Sequence, residues 1–162
     1  MVDFYKRFFN CHASYENDFA SFLTYDDEHH RIAIVQIPTL VPNDPQSVGL
    51  QHMAFAYNSL EDLAISYLQR KANGFEPVWC INHGPTTSIY YADPDGNCIE
   101  IQVDNFDTPE EASKFMSSKY FAKNPIGTNF DPDELIRQLN SGEDDASIKK
   151  RVEIGPRKLQ TV

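Results

Sequence analysis

Two residues of this 162-residue chain carry side chains that suit metal chemistry, and both stand in segments that predict β-strands. His52 lies near the start of GLQHMAFAY, residues 49–57, and Glu100 lies within CIEIQV, residues 98–103. A neutral imidazole and a carboxylate are ligands that suit a non-haem Fe(II) or Mn(II). Two histidines and one carboxylate on one face would make such a site, and these segments offer one of each.

Each residue also has an ordinary structural explanation. Ile99, Ile101 and Val103 alternate with Glu100, which predicts one apolar and one polar face. Antiparallel strands commonly have a solvated face, so the pattern alone favours a solvent-facing Glu100. A single strand histidine is more commonly a hydrogen-bonded core or edge residue than a metal ligand. The positions of the two residues favour a site, because His52 is predicted in the first strand of a module and Glu100 in its last.

The elements that would position these residues form an internal repeat. Ser21–Ile34 aligns without a gap on Ser88–Ile101, and both segments predict a strand, an acidic turn and a second strand. In the second copy the turn 93–97, DPDGN, is a strong hairpin signal. A strand at 50–57, a helix at 59–72 and a strand at 75–80 precede that hairpin. The second copy therefore has the order β-α-β-β-β.

The first copy predicts a helix and three strands, at 2–9, 14–16, 19–25 and 31–37. It has no strand before its helix, so the repeat places the missing strand about a dozen residues upstream of Met1. The predicted fold is α+β, with paired βαβββ modules in a half-open curved barrel. The expected divisions are 1–37 for the incomplete first module, a proline-punctuated linker at 38–45, 49–104 for the second module, 1–106 for the paired modules together, and 107–162 for a helical, charged C-terminal extension. Within the extension, helices are expected at 108–118 and 131–140.

Composition excludes several classes of function. The net charge of −10 argues against binding to a nucleic-acid backbone or to an anionic membrane surface. No apolar run approaches the roughly 18 residues of a membrane-spanning helix, and no signal peptide is indicated. The three cysteines have no paired spacing, so neither a disulfide framework nor a zinc knuckle is predicted. A cytoplasmic setting is the expectation.

Two longer runs resemble a known family. GLQHMAFAYNSLEDL, followed by GFEPVWCINHGPTTSIYYADPDGNCIEIQVD, is similar to the vicinal oxygen chelate superfamily, which includes glyoxalases, bleomycin resistance proteins and extradiol dioxygenases. Within it, the chain resembles the single-domain ring-cleavage enzymes of the biphenyl-2,3-diol 1,2-dioxygenase or catechol 2,3-dioxygenase type. The similarity covers most of residues 2–105, and YYADPDGNCIEIQ is its most specific part.

The resemblance implies roles for five residues. His52 and Glu100 would be two of three ligands to Fe(II), with Mn(II) as the alternative metal. Tyr90 would hydrogen-bond the substrate hydroxylate, and His83 would be an acid–base group near substrate or dioxygen. A loop histidine bonded to the backbone explains His83 equally well, and Trp79 suits either the pocket or the core. The implied partners are a catechol-like aromatic substrate and dioxygen. A homodimer is also expected, because the missing strand exposes a sheet edge that a second copy of the chain could cover.

The chain departs from the family pattern at the remaining histidine, which belongs to the strand that the first module lacks. Ala33 matches Glu100 in the repeat, so the first module offers no carboxylate of the glyoxalase type, which favours dioxygenase chemistry. His12, His29 and His30 are predicted far from the metal. Two ligands predict weak Fe(II) binding, so an inactive protein, an incomplete gene product and a start further upstream all remain open.

Two alternative functions use the same scaffold. One is a cofactor-free isomerase or cyclase acting on a phenolic compound, with His83 and Tyr90 as acid and base. The other is a protein that binds an aromatic small molecule without chemistry. Phe55, Tyr57 and Tyr91 would suit a pocket for a planar aromatic compound, and they suit an ordinary core as well.

Overall fold

The computed structural model describes residues 1–42, 44 and 46–158. Asn43 and Pro45 of the predicted linker, and residues 159–162 of the predicted extension, lie outside the described residues. The chain divides into two compact units. One comprises Met1–Gln51 with Ala92–Asn97, and the other comprises His52–Tyr91 with the described part of Cys98–Val162. Helices and mixed sheets confirm the α+β class, and no sheet of the described residues closes into a barrel.

The first unit contains the predicted helix and three strands. Its elements are α1 (Val2–Phe8), β1 (His12–Glu16), β2 (Ala20–Thr24) and β3 (Ile32–Val35). The strands form an antiparallel sheet in the order β1-β2-β3. Tyr5 and Phe8 are the buried residues of α1. The Tyr5 hydroxyl donates to Asp93 Oδ2 at 2.8 Å, which joins the helix to the 92–97 segment of the same unit.

The second unit contains the β-α-β-β-β order that the repeat predicts. Its elements are β4 (Met53–Tyr57), α2 (Leu60–Ala72), β5 (Trp79–Asn82), β6 (Thr86–Ala92) and β7 (Cys98–Asp104). The Ser59 side chain caps α2 by accepting from the backbone N–H of Asp62 at 3.1 Å, as expected of a capping serine. β4 lies parallel to β7, so the first and last strands of the module are neighbours.

Two predicted boundaries were wrong. β5 begins at Trp79 and not at Phe75, because Gly74 turns with a φ of 80° and Pro77 has no N–H for a ladder. β4 begins at Met53, so His52 is the residue immediately before the strand. The equivalence of the two hairpins is confirmed, since β2 and β3 match β6 and β7 at the offset of the repeat.

The core of the second unit lies between α2 and one face of its sheet. Side chains of α2 and of alternate positions in β7 are almost fully buried there, namely Leu60, Leu63, Tyr67, Ile99, Ile101 and Val103. Burying such side chains is the main stabilising contribution, about 1.5–3 kcal/mol for each aliphatic residue. The apolar stripe of α2 and the alternation in β7 thus fix which face of the sheet is covered by the helix and which face remains for other side chains.

The C-terminal extension is more ordered than a charged segment suggests. Its elements are α3 (Pro109–Met116), α4 (Lys119–Lys123), β8 (Thr128–Asn129), α5 (Pro132–Ser141) and α6 (Asp145–Lys149). α3 and α5 confirm the two predicted helices. β8 joins the edge of the sheet beside β5, giving the order β4-β7-β6-β5-β8. No sequence pattern predicted this short strand. None of the helices in the described residues combines the length and apolarity that crossing a bilayer requires.

Candidate functional site

His52 and Glu100 meet on the sheet face opposite α2. Glu100 pairs with Ala54 across the parallel ladder of β4 and β7, and His52 precedes Ala54 by two positions, which places it on the same side. His52 Nε2 lies 2.9 Å from Glu100 Oε2. The carboxylate side chain is 5% exposed and the imidazole 34% exposed. The site therefore has a buried carboxylate and a histidine that solvent reaches.

The expectation from alternation alone, a solvent-facing Glu100, is wrong. Ile99, Ile101 and Val103 do form the apolar face, but Glu100 is 4% exposed on the other face. Aromatic and histidine side chains cover it, so both faces of β7 are buried. A buried carboxylate requires partners, because burial without them costs far more than a hydrogen bond returns. The contact with His52 provides one such partner.

Tyr90 and His83 supply the cover. Tyr90, on β6, is buried, and its hydroxyl donates to His83 Nε2 at 2.9 Å. The same hydroxyl lies within hydrogen-bonding reach of Glu100. Burial, and then the nearby Glu100 charge, raise the pKa of Tyr90 well above its usual range, so the phenol keeps its proton. His83 Nε2 also lies 4.0 Å from Glu100 Oε1.

The second nitrogen of His83 is bonded to the backbone. Its Nδ1 lies 2.5 Å from the carbonyl oxygen of Ile126. A carbonyl can only accept, so Nδ1 carries the proton and Nε2 presents its lone pair to Tyr90. Burial lowers the pKa of His83, which favours the neutral ring that this arrangement needs. The interpretation of His83 as a loop histidine bonded to the backbone is thus confirmed, and its role as an acid–base group stays a prediction.

Trp79 forms one wall of the site. Its ring stacks on Tyr90 with centroids 5.2 Å apart, and meets the His83 ring edge-on at 5.7 Å. Trp79 Nε1 donates to Asn129 Oδ1 of β8 at 2.9 Å. The indole is therefore held by the Tyr90 ring on one side and by Asn129 of β8 on the other.

The other aromatic residues considered for the walls lie on the face opposite Glu100, where Tyr91 is buried and Phe55 and Tyr57 are half-buried. Phe55 and Tyr57 pair with Ile101 and Val103, so they project from the face opposite Glu100. Tyr91 alternates with Tyr90 along β6 and lies under Arg70 of α2, 5.8 Å from ring centroid to guanidinium carbon. Of the two interpretations that the sequence left open for these residues, their place on the face opposite Glu100 favours the core, because a one-residue step along a strand reverses the face.

The chemistry of the two donors suits a divalent metal ion. Imidazole nitrogen and carboxylate oxygen suit Fe(II) or Mn(II), and His52 Nε2 and Glu100 Oε2 converge closely enough to share one ion. Among residues that the structure describes, no group of three or more His, Cys, Asp and Glu side chains is arranged to hold a metal. The donors present thus fit two positions of such a centre, and the third protein ligand stays a prediction.

Several residues that shape the site were not identified from the sequence. Ile126 contributes only a carbonyl oxygen, which no side-chain pattern reveals. Arg151 stands in the run KKR, which is typical of a solvated surface, yet its side chain is 2% exposed. The NPIG segment 124–127 carried the available signal, because asparagine, proline and glycine together indicate a turn.

Comparisons with known proteins identify the family of the chain. The family model of the Glyoxalase/Bleomycin resistance protein/Dioxygenase superfamily matches residues 1–101. The chain is 43% identical to biphenyl-2,3-diol 1,2-dioxygenase 2 of Rhodococcus globerulus, over 88% of this chain and 75% of that protein. It is 40% identical to biphenyl-2,3-diol 1,2-dioxygenase 3 of the same organism, over 93% of this chain and 80% of that protein.

Solved structures support the fold. The fosfomycin resistance protein FosX from Listeria monocytogenes aligns with a TM-score of 0.51 at 24% identity, covering 70% of this chain and 84% of that one. A glyoxalase-like protein from Bacillus halodurans aligns with a TM-score of 0.52 at 15% identity, covering 63% and 84%. At these identities the likeness concerns the fold alone. The family match and the two Rhodococcus relatives together show that the chain belongs to the glyoxalase, bleomycin resistance protein and dioxygenase superfamily.

Proposed function

We propose that the chain is a metal-dependent extradiol-type dioxygenase that opens the ring of a catechol-like aromatic compound with dioxygen. The observation that carries the proposal is the 2.9 Å approach of His52 Nε2, from the residue just before β4, to Glu100 Oε2 on the neighbouring strand β7. The two relatives at 43% and 40% identity support the reaction class, since both are biphenyl-2,3-diol 1,2-dioxygenases. That relationship also implies a divalent metal and an aromatic diol as substrate.

His52 and Glu100 would hold the metal, for which Fe(II) is the first choice and Mn(II) the second. When bound, the ion would supply charge that lowers the pKa of the catechol hydroxyls and a path for electrons from substrate to dioxygen. Glu100 keeps its place because it is buried, whereas His52 is reached by solvent. The pair therefore marks the side from which substrate and metal would enter.

His83 and Tyr90 would manage the substrate's protons. His83 Nε2 offers a basic lone pair that, without substrate, is occupied by the Tyr90 hydroxyl at 2.9 Å. A catechol hydroxyl placed near this pair could give its proton to Nε2, while the Tyr90 hydroxyl turns to donate to the substrate oxygen that has lost its proton. Trp79, stacked on Tyr90, would exclude water from one side of the pair.

The small residues of β4 leave room for a planar ring. Ala54 and Ala56 lie on the side of the sheet that carries Glu100, paired with Glu100 and Gln102, and both are exposed. A flat aromatic compound could lie over these methyl groups with its two hydroxyls toward His52 and Glu100. A larger side chain at Ala54 or Ala56 should therefore exclude substrate without disturbing His52 and Glu100.

The incomplete ligand set predicts weak metal binding. Two protein donors leave positions that water would fill, and each lost ligand reduces chelation. If a nitrogen ligand is what the site lacks, added imidazole should raise both Fe(II) affinity and the rate of oxygen uptake. An effect of imidazole that disappears in the His52→Ala variant would tie it to this site.

The test combines metal binding with oxygen uptake on catechol and 2,3-dihydroxybiphenyl. His52→Ala and Glu100→Ala should each abolish metal-dependent uptake and weaken Fe(II) binding measured by calorimetry. His29→Ala is the matched control, because the His29 side chain is 82% exposed. Wild-type uptake in both site variants would show the assignment to be wrong.

Two results would redirect the proposal. Turnover that survives exhaustive chelation would indicate the cofactor-free isomerase or cyclase. Stoichiometric binding of an aromatic ligand without product, at any metal concentration, would indicate the binding protein. Either result leaves the fold and the family unchanged.

We also propose a homodimer in the cytoplasm. The outer edge of β4 is the end of its sheet, and an uncovered edge offers backbone groups to a second copy. The acidic composition and the three free thiols Cys11, Cys80 and Cys98 suit a reducing compartment. Sedimentation that finds only monomer at micromolar concentration would contradict the dimer.

A further inference from the structure

The C-terminal extension lies directly against His83. β8 pairs with β5 through Asn129 with Ile81 and Thr128 with Asn82, which brings the preceding turn to the end of β5. Gly127 in that turn has a φ of 111°, and a Cβ there would clash with the carbonyl oxygen of Asn82. Only glycine allows so close an approach of the two backbones.

Asn124 holds this turn from inside. Its side chain is fully buried, and Oδ1 accepts from the backbone N–H groups of Ile126 at 3.2 Å and Gly127 at 2.9 Å. Its Nδ2 donates to the carbonyl oxygen of Gly127 at 3.0 Å. These three bonds set the orientation of the intervening peptide units. The Ile126 carbonyl oxygen is thereby aimed at His83 Nδ1.

Arg151 joins the turn to the backbone of His83. Its Nη1 donates to the carbonyl oxygens of His83 at 3.0 Å and Asn124 at 2.8 Å. Its Nη2 lies 2.8 Å from a Glu153 carboxylate oxygen, which balances the buried charge, and the guanidinium packs 5.0 Å from the Phe115 ring centroid. One nearly inaccessible side chain thus bonds to both segments whose relative position determines the contact between Nδ1 and Ile126.

We propose that Asn124 and Arg151 are positioning residues that hold His83 as the Nδ1–H tautomer, so that the extension sets the direction of the hydrogen bond between His83 and Tyr90. With the proton on Nδ1, Nε2 is an acceptor and Tyr90 must donate to it. With the proton on Nε2, His83 would donate and would lose its capacity to take a proton from substrate. The catalytic consequence rests on the proposed function, whereas the tautomer is a property of the chain alone.

Imidazole nitrogen shifts in ¹⁵N-histidine-labelled, metal-free protein test the tautomer. At about pH 8 a histidine ring is neutral, because its ordinary pKa is roughly 6.5. The ¹⁵N chemical shifts of a protonated and an unprotonated ring nitrogen are then clearly different. The His83 signals are assigned by their loss in His83→Gln. We expect wild-type His83 to show a protonated Nδ1 and an unprotonated Nε2. A protonated Nε2 in the wild-type protein would overturn the proposal before any variant is made.

Two variants then test the positioning residues. Arg151→Gln and Asn124→Ala should move His83 toward the Nε2–H tautomer or a mixture, and Arg151→Lys should restore part of the wild-type pattern because it keeps a cationic donor. Arg137→Gln is the matched control, since Arg137 is an exposed residue of the extension bonded to Glu134. A folded Arg151→Gln protein with the wild-type nitrogen pattern would refute the role of Arg151.

Activity gives an independent readout. If the chain is a dioxygenase, Arg151→Gln should lower kcat by about 10- to 100-fold, the usual effect of removing a residue that orients a site group. Its Fe(II) affinity should stay close to that of the wild-type protein, because Arg151 contacts neither His52 nor Glu100. Absence of uptake in every form would count against the proposed function, while the nitrogen shifts would still decide the inference about His83.

Discussion

The hydroxyl of Tyr90 offers a direct measurement of how strongly the site is held together. Tyr90→Phe removes one oxygen and keeps the ring, so the stacking on Trp79 is preserved. The variant leaves His83 Nε2 without the donor that lies 2.9 Å away, and it removes the hydroxyl that lies beside the Glu100 carboxylate. Both remaining groups are largely buried, so water replaces the lost hydroxyl poorly.

The expected loss follows from this geometry. Leaving one buried acceptor unsatisfied costs about 1–3 kcal/mol in the free energy of unfolding. With an m-value of about 2 kcal/mol/M for a chain of this size in urea, the unfolding midpoint of Tyr90→Phe should fall by roughly 0.5–1.5 M. The measurement is equilibrium urea unfolding of metal-free protein followed by tryptophan fluorescence, since Trp79 stacks on the altered ring.

A double-mutant cycle separates the hydrogen bond from other effects. Tyr90→Phe combined with His83→Gln should cost less than the sum of the single variants by about 0.5–3 kcal/mol, because the two residues share one bond. Tyr120→Phe serves as the control, as Tyr120 is 51% exposed and its hydroxyl should matter little. An unchanged midpoint in Tyr90→Phe, or strict additivity with His83→Gln, would refute the bonded pair.

Three further outcomes follow from other parts of the chain. Burial raises the pKa of Cys80 to about 12, so at about pH 8 its alkylation by iodoacetamide should be on the order of 10³-fold slower than that of a free thiol, and labelling at the free-thiol rate would contradict this. Leu135→Ala should lower the free energy of unfolding by about 2–5 kcal/mol, because Leu135 is 4% exposed, whereas Leu68→Ala, at 46% exposure, should cost much less. Lys71 holds the pKa of Asp133 below 3.8, so the stability that Asp133 contributes is present above that pH and is lost as the pH falls through its folded pKa. The stability difference between wild type and Asp133→Asn should accordingly narrow in acid.

The two donors of the site could be predicted from sequence because they obey a local rule. Alternation placed Glu100 on the face opposite Ile99 and Ile101, and the β-α-β-β-β order made the first and last strands neighbours. What alternation could not tell is whether that face is wet. Burial of Glu100 depends on Tyr90 and on a loop, and no periodicity in β7 records what lies above it.

For the aromatic residues, composition left open which face of the sheet they occupy. Phe55, Tyr57 and Tyr91 have the composition of a ring-binding pocket, yet each lies one step along its strand from the site face. Composition shows that aromatic residues are present, but it does not show on which face of the sheet they lie. Applying the two-residue period of a strand relative to His52 for Phe55 and Tyr57, and relative to Tyr90 for Tyr91, places all three on the face opposite the site.

The constraint on His83 was beyond prediction for a different reason. Its partners are a carbonyl oxygen at Ile126 and a guanidinium at Arg151, the latter 68 positions along the chain. A two-residue strand such as β8 has no recognisable pattern, and a buried arginine in a basic run resembles a surface charge. Contacts of this kind depend on where a tail docks, which a local sequence pattern does not encode.

The strands of the module and the C-terminal extension position different residues of the site, and relatives of the chain need not share both. The module brings His52, Glu100 and Tyr90 together through strand pairing, and any sequence that keeps the module should keep those three in place. The tautomer of His83 depends on residues 124–151, which lie outside residues 1–101 that the family model matches. A protein that shares the module but has a different C-terminal segment would therefore keep the same donors, while the tautomer of the histidine at the position of His83 would not be fixed. A reaction that needs Nε2 as a proton acceptor should then require the C-terminal segment as much as it requires the donors.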